Sequence, residues 1–90
     1  GVNLLTKVLA IEWAQHNINV NAISPTFIET PFTKPMFEKK EFLEYVNKNI
    51  PLGRVGKTND VVGAVIYLAA SASDLVTGHI LMVDGGWTAQ

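Results

Sequence analysis

Two short apolar runs rich in β-branched residues, Ile18 to Ile23 and His79 to Val83, stand about fifty residues apart with helical patterns between them. No other feature constrains the fold as tightly. A tight turn cannot join runs so far apart, so the connection is a crossover through helices and the strands lie parallel. Two parallel strands are not stable alone, because such sheets need further strands and covered faces. The sequence therefore reads as α/β, and as one part of a larger sheet.

The segments between and around these runs fit that reading. Gly1 to Gln15 has the period of a helix, with Val2, Leu5, Leu9 and Trp13 on one stripe and Leu4, Val8 and Ile11 on the next. A helix apolar over most of its circumference packs on two sides, for example between a sheet and another chain. Its pattern is already running at the second residue with no cap ahead of it, which favours a start inside a larger protein over a disordered tail. Asn17 suits a left-handed helix end. Ser24 to about Lys39 is kept irregular by Pro25, Pro31 and Pro35, while Phe27, Phe32, Met36 and Phe37 ask for apolar partners. Glu38 to Asn49 is expected as a short amphipathic helix with Phe42, Tyr45 and Val46 on one side. Pro51 to Gly56 is a loop. Thr58 is the expected N-cap of a helix running to about Ser71, with Asp60 in its first turn. Val62, Ile66 and Ala69 give it its period, beside Val61, Val65 and Leu68. Asp84-Gly85-Gly86 turns the chain out of the second strand.

Composition narrows the function classes. The chain has 90 residues, 48% of them hydrophobic, and a formal net charge of −1. Acidic and basic residues are interspersed, so there is no electrostatic footprint for nucleic acid and no basic face for a membrane surface. No apolar run reaches the roughly 18 residues of a transmembrane helix, and the start lacks a basic region followed by an apolar block, so no signal peptide is expected. With no cysteine, disulfides and thiolate chemistry are excluded. A cytoplasmic location is the expectation.

Catalytic sets are hard to assemble from these residues. Ser24, His79 and Asp84 invite a hydrolase triad, yet Ser24 precedes proline and lacks a Gly-x-Ser-x-Gly setting. His16 and His79 have no partner at metal-ligand spacing, so no metal is expected. Gly53-Arg54-Val55-Gly56 follows no strand, which argues against a phosphate loop. Binding is better supported. In open α/β sheets ligands sit beyond the carboxyl ends of strands. Pro25 lets the backbone leave the first strand there, Ile28 supplies an apolar wall, and Thr30 supplies a hydroxyl that donates or accepts. A plain loop capping the sheet, with Thr30 opening a turn before Pro31, fits the same residues. The residues alone leave both open.

Four segments taken together carry a resemblance. Asn21-Ala22-Ile23-Ser24-Pro25, then Ile28-x-Thr30, then Pro51-Leu52-Gly53-Arg54, and Thr77-Gly78 through Val83-Asp84-Gly85-Gly86 resemble the C-terminal third of short-chain dehydrogenase/reductases in order and spacing. They span essentially the whole chain. The resemblance implies the C-terminal part of a doubly wound, Rossmann-type parallel-sheet domain over residues 1–90, incomplete in this chain. It implies NAD or NADP as cofactor and hydride transfer between an alcohol and a carbonyl. Carried over by position, the Ile28 backbone pairs with the nicotinamide carboxamide and Thr30 contacts the carboxamide or pyrophosphate side. Pro25, Thr26 and Phe27 shape the pocket. Thr26 stands where the family usually has glycine. The family's Tyr-x-x-x-Lys belongs just before Gly1, so no catalytic residue is assigned to these ninety, and the fragment alone is expected to be inactive.

The resemblance also implies a homotetramer, with the first helix against its mate, and a substrate lid over residues 31–50, Phe32 to Tyr45 in particular. The Ile23-to-Met36 run and the Gly85-to-Gln90 ending look similar to sugar-acid dehydrogenases of the gluconate and 2-deoxygluconate type, so a sugar acid is the expected small-molecule substrate. A 3-ketoacyl-carrier-protein reductase is the alternative within the family. Outside it, the alternative is a standalone, non-catalytic interaction or oligomerisation module working through the first helix.

Overall fold

The computed structural model describes residues 1–90. Helix α1 runs Val2–Trp13 and tightens into a 3₁₀ turn, Ala14–His16. Asn17 ends it at φ 59°, ψ 34°, the left-handed conformation expected of it. Strand β1 is Ala22–Pro25 and β4 is Ile80–Val83; they pair in parallel, from Ala22↔Ile80 to Pro25↔Val83. Proline closes β1, at the position where its missing N–H costs the ladder least. Between the strands come β2 (Ile28–Glu29), α2 (Lys34–Phe37), α3 (Lys40–Asn49), β3 (Gly56–Lys57) and α4 (Thr58–Ala69). β2 and β3 form a second parallel pair, Ile28↔Gly56 and Glu29↔Lys57.

The first strand is shorter and later than the apolar run suggests. Ile18 to Asn21 lie outside the ladder, where side chains make most of the cross-links. Asn19 Nδ2 donates to the Asp74 carbonyl at 2.9 Å, and Asn21 Nδ2 to the Val76 carbonyl at 2.9 Å. The Val20 amide donates to Thr77 Oγ1 at 3.0 Å, and the His79 amide to Asn21 Oδ1 at 3.0 Å. The asparagines thus stitch the entry of β1 to the entry of β4 around a single backbone bond, from the Gly78 amide to the Val20 carbonyl at 2.7 Å.

Two helix starts also differ from expectation. The chain does not run straight from irregular backbone into one helix at Glu38. Lys34–Phe37 forms its own turn, with Pro35 in the first turn, where a missing N–H is tolerated, and α3 starts afresh at Lys40. Thr58 is the first residue of α4 rather than its cap. Asp60, two residues on, supplies the capping acceptor: its Oδ2 accepts the Lys57 amide at 2.8 Å.

Burial shows which faces this chain satisfies by itself. The buried apolar residues are Ala10, Phe37, Val46 and Ile50, and Val46 is fully enclosed. Helix α1 buries Thr6 and Ala10 against the rest of the chain, with Leu9 half-buried and the rest of its apolar stripes exposed. A Cβ placed on Gly78 would lie 3.4 Å from the Ala10 methyl, so two small residues let α1 approach the start of β4 closely. The buried Thr6 hydroxyl is satisfied by the Val2 carbonyl at 2.8 Å. Val2, Leu4, Leu5, Val8, Ile11 and Trp13 remain exposed, Ile11 by 79%. The radius of gyration, 15.6 Å, exceeds the roughly 12 Å of a compact domain of this length. These apolar faces are surfaces without a partner inside the ninety residues.

Candidate functional site

The carboxyl ends of β1 and β4 open onto a cleft of about 170 Å³. Phe27 and Ile28 line it from one side, Val83, Asp84 and Gly85 from the end of β4, and Ile50, Leu52, Arg54, Gly56 and Asp60 from the opposing loop. Ligand pockets typically enclose about 300–1,000 Å³, so this chain provides one wall of a site. A larger hollow of about 520 Å³ lies between the ends of α1 and α4, near Asn17 and Asp74. It is at the amino ends of the strands, away from the edge where α/β sheets bind ligands.

β2 sets the backbone of the cleft. The Gly56 amide donates to the Phe27 carbonyl at 2.7 Å, and in a parallel pair the residue between two such bonds turns its own groups to the other edge. The Ile28 carbonyl there accepts from Thr33 Oγ1 at 2.7 Å. β2 pairs with β3 alone, which leaves the Ile28 N–H facing the open edge.

Thr30 and Thr33 form a hydroxyl relay beside that edge. The Thr30 amide donates to Thr33 Oγ1 at 2.8 Å, the Thr33 amide to Thr30 Oγ1 at 3.2 Å, and the two hydroxyl oxygens are 3.2 Å apart. The Lys34 amide donates to the Thr30 carbonyl at 2.8 Å, so Thr30 does open a turn across Pro31. A hydroxyl has one proton to give. Thr33 directs its proton to Ile28, so Thr30 retains one for Thr33 or for a ligand. The binding and turn-forming readings of Thr30 are therefore compatible.

The remaining edge residues fall around this centre. Pro25 is exposed at the end of β1, while Thr26, Phe27, Ile28 and Thr30 are half-buried. Thr26 takes an ordinary negative φ, as does every non-glycine residue except Asn17. A threonine in place of glycine thus carries no backbone strain here. Phe27 meets Trp87 edge-on at 5.4 Å between ring centroids and Phe42 at 6.3 Å, and Phe42 stacks on Phe37 at 5.8 Å. One row of rings links the chain's tail, the edge and the two helices of residues 31–50.

The serine, histidine and aspartate that invited a triad are not assembled. Ser24 pairs with Met82 in the ladder, and His79 precedes β4 at its other end. The Asp84 carboxylate is committed to the last turn. It accepts the Gly86 and Thr88 amides at 3.0 and 3.1 Å and the Thr88 hydroxyl at 2.7 Å. Those bonds, the hydroxyl foremost, hold its pKa below the ordinary value of 3.8. Arg54 belongs to no phosphate loop. Its guanidinium grips Asp60 with Nη1–Oδ2 at 3.0 Å and Nη2–Oδ1 at 3.3 Å, and this pairing lowers the Asp60 pKa.

Comparison with known proteins places this geometry. Residues 1–88 match the family model described as Enoyl-(Acyl carrier protein) reductase. The chain is 51% identical over 83 residues to a 2-dehydro-3-deoxy-D-gluconate 5-dehydrogenase of Bacillus subtilis strain 168, covering 92% of this chain and 33% of the relative. The crystal structure of a gluconate 5-dehydrogenase from Burkholderia cenocepacia J2315 in complex with NADP and tartrate superposes with a TM-score of 0.92. It is 37% identical, over 99% of this chain and 35% of that one. A 4-hydroxyisoleucine dehydrogenase complexed with NADH superposes with a TM-score of 0.95 at 36% identity, over 99% and 37% of the two chains. The chain thus spans about a third of the length of the relatives it matches. The parallel pair and its crossover helices are those of Rossmann-fold enzymes.

Proposed function

This chain belongs to the short-chain dehydrogenase/reductase family, and from that premise we propose that the intact protein is an NAD(P)-dependent oxidoreductase acting on a sugar acid. The observation that carries the proposal is the open edge of β2 at the carboxyl end of β1. A planar carboxamide needs a donor and an acceptor side by side. The Ile28 N–H is free to donate to the carboxamide oxygen, the Thr30 hydroxyl oxygen can accept from the carboxamide NH2, and the Phe27–Ile28 wall is apolar enough to hold the flat face of a nicotinamide ring. Pro25 and Thr26 set the direction in which the chain leaves the sheet. Bound there, NAD or NADP would supply hydride exchange with the substrate carbon. None of the ninety residues is assigned the accompanying proton transfer; their work is to orient the ring and exclude water from one face.

The sugar-acid class rests on the gluconate and keto-gluconate relatives. Residues 31–50 serve as the substrate lid in this reading, supported by the aromatic row that ties Phe37 and Phe42 to Phe27. The exposed apolar stripes of α1 support its use as the interface of a homotetramer. A cytoplasmic location goes with dependence on the soluble cofactor pool. No helix is long and apolar enough to cross a membrane.

The test is turnover by the intact protein with NADP+ and with NAD+ on gluconate, and with the reduced cofactors on keto-gluconates, followed by cofactor absorbance. Sugar-acid-dependent turnover is expected. Turnover confined to acyl-carrier ketones would replace the substrate class, and no turnover with either cofactor would remove the oxidoreductase reading.

A further inference from the structure

Residues outside the edge hold its backbone in place. Between Arg54 and Asp60 the chain makes a short return through β3, the strand whose Gly56 amide reaches the Phe27 carbonyl, and into the first turn of α4. Asp60 lies at the centre of that return. One oxygen, Oδ2, accepts both the Lys57 amide at 2.8 Å and Arg54 Nη1 at 3.0 Å, and the other accepts Arg54 Nη2. Arg54 Nη1 also donates to the Val55 carbonyl at 3.2 Å, so the fork closes on its own loop. The two-residue β2–β3 pair is too short to fix its register by itself. The strands are close: a Cβ on Gly56 would lie 2.6 Å from Ile28 Cδ1 and 3.7 Å from Asp60 Oδ2.

We propose that Asp60 and Arg54 are positioning residues for the cofactor edge: their forked ion pair and the Asp60–Lys57 bond lock β3, and β3 sets the backbone of Phe27 and Ile28. The inference rests on the nicotinamide-edge reading of Ile28 and adds to it the residues that enforce its geometry. A partly exposed ion pair contributes little to global stability. Its effect is local, because a forked guanidinium–carboxylate pair fixes direction as well as distance. Asp60 borders the cleft, but both its oxygens are taken by Arg54 and Lys57, so it acts through Lys57, Gly56 and the ladder. Removing it should loosen the grip on the nicotinamide end of the cofactor and leave the adenosine end unaffected.

The experiment compares two ligands on the intact protein: NADP+ or NAD+, whichever binds tighter, and its nicotinamide-free fragment, 2′-phospho-ADP-ribose or ADP-ribose. Asp60→Ala is expected to weaken the dinucleotide about tenfold, the scale of one charge-assisted hydrogen bond. The fragment should bind within about twofold of wild type on the same scale. Asp60→Asn keeps an acceptor for the Lys57 amide and is expected to recover most of the loss. Should Asp60→Ala fail to fold, Arg54→Ala carries the test, since it leaves the Asp60–Lys57 bond; a selective loss of about threefold is expected. Equal weakening of both ligands, or no change in the dinucleotide for the folded variants, overturns the positioning role. A wild-type protein that binds the fragment but gains nothing from the nicotinamide end overturns the edge reading instead.

Discussion

Phe27 couples the edge to the helices of residues 31–50 and to the tail, and the strength of that coupling follows from its ring contacts. It meets Trp87 at 5.4 Å and 71° and Phe42 at 6.3 Å and 78°, both edge-to-face. Such pairs contribute about 0.5–1.5 kcal/mol each beyond the area they bury. Phe27→Leu retains most of the apolar burial and loses both edges, so it should destabilise the intact protein by roughly 1–3 kcal/mol. Phe42→Leu loses the Phe27 edge and the stack on Phe37. Because the two share one contact, the double variant should fall short of the sum by about 1 kcal/mol. Urea unfolding of the four proteins at one concentration measures the cycle, and proteolysis within residues 31–50 gives a local readout. Additivity within roughly 0.3 kcal/mol would refute the coupling.

Three further outcomes follow from the same geometry. Trp13→Glu places a charge on the exposed apolar face of α1, and light scattering should show the proposed tetramer of the intact protein dissociating; an unchanged mass contradicts the proposed interface. Thr33→Val removes the donor to the Ile28 carbonyl and should raise KM for the cofactor several-fold while Thr33→Ser does not, a split that steady-state kinetics reads directly. Asp84 has a lowered folded pKa, so its contribution is fully present above the ordinary value of 3.8 and is lost as pH falls through the folded value. Protection of the Gly86 and Thr88 amides, taken as exchange relative to the intrinsic rate at each pH, should therefore fall only below about pH 4, and Thr88→Val should weaken that dependence.

The sequence shows some of this architecture directly, and the reasons differ element by element. Helix α4 and the parallel crossover are legible because long apolar periods and the distance between two strand-like runs leave few alternatives. The left-handed Asn17 is legible because asparagine is one of few residues that tolerates it. The ladder limits of β1 are hidden, since Ile18 and Val20 have strand chemistry while Asn19 and Asn21 take over the cross-links. The inner face of α1 is hidden too: Thr6 and Ala10 are small, and close approach to Gly78 depends on smallness, which hydrophobic periodicity does not register. The pair β2–β3 has only two residues in each strand and therefore no pattern at all. The role of Thr33 has no sequence signal, because it is a single hydroxyl reaching back five residues to the Ile28 carbonyl. The Arg54–Asp60 pair carries no sequence signal either, since a six-residue separation across a loop and a helix start means nothing until the loop's return is known.

The placement of the nicotinamide against β2 is tested most directly by a crystal structure of the intact protein with NADP+ or NAD+ bound. The carboxamide is expected within hydrogen-bond reach, about 3 Å, of the Ile28 backbone and the Thr30 hydroxyl, with the ring against Phe27. A cofactor whose nicotinamide lies away from residues 25–30, with the Ile28 N–H still unpaired, would contradict it.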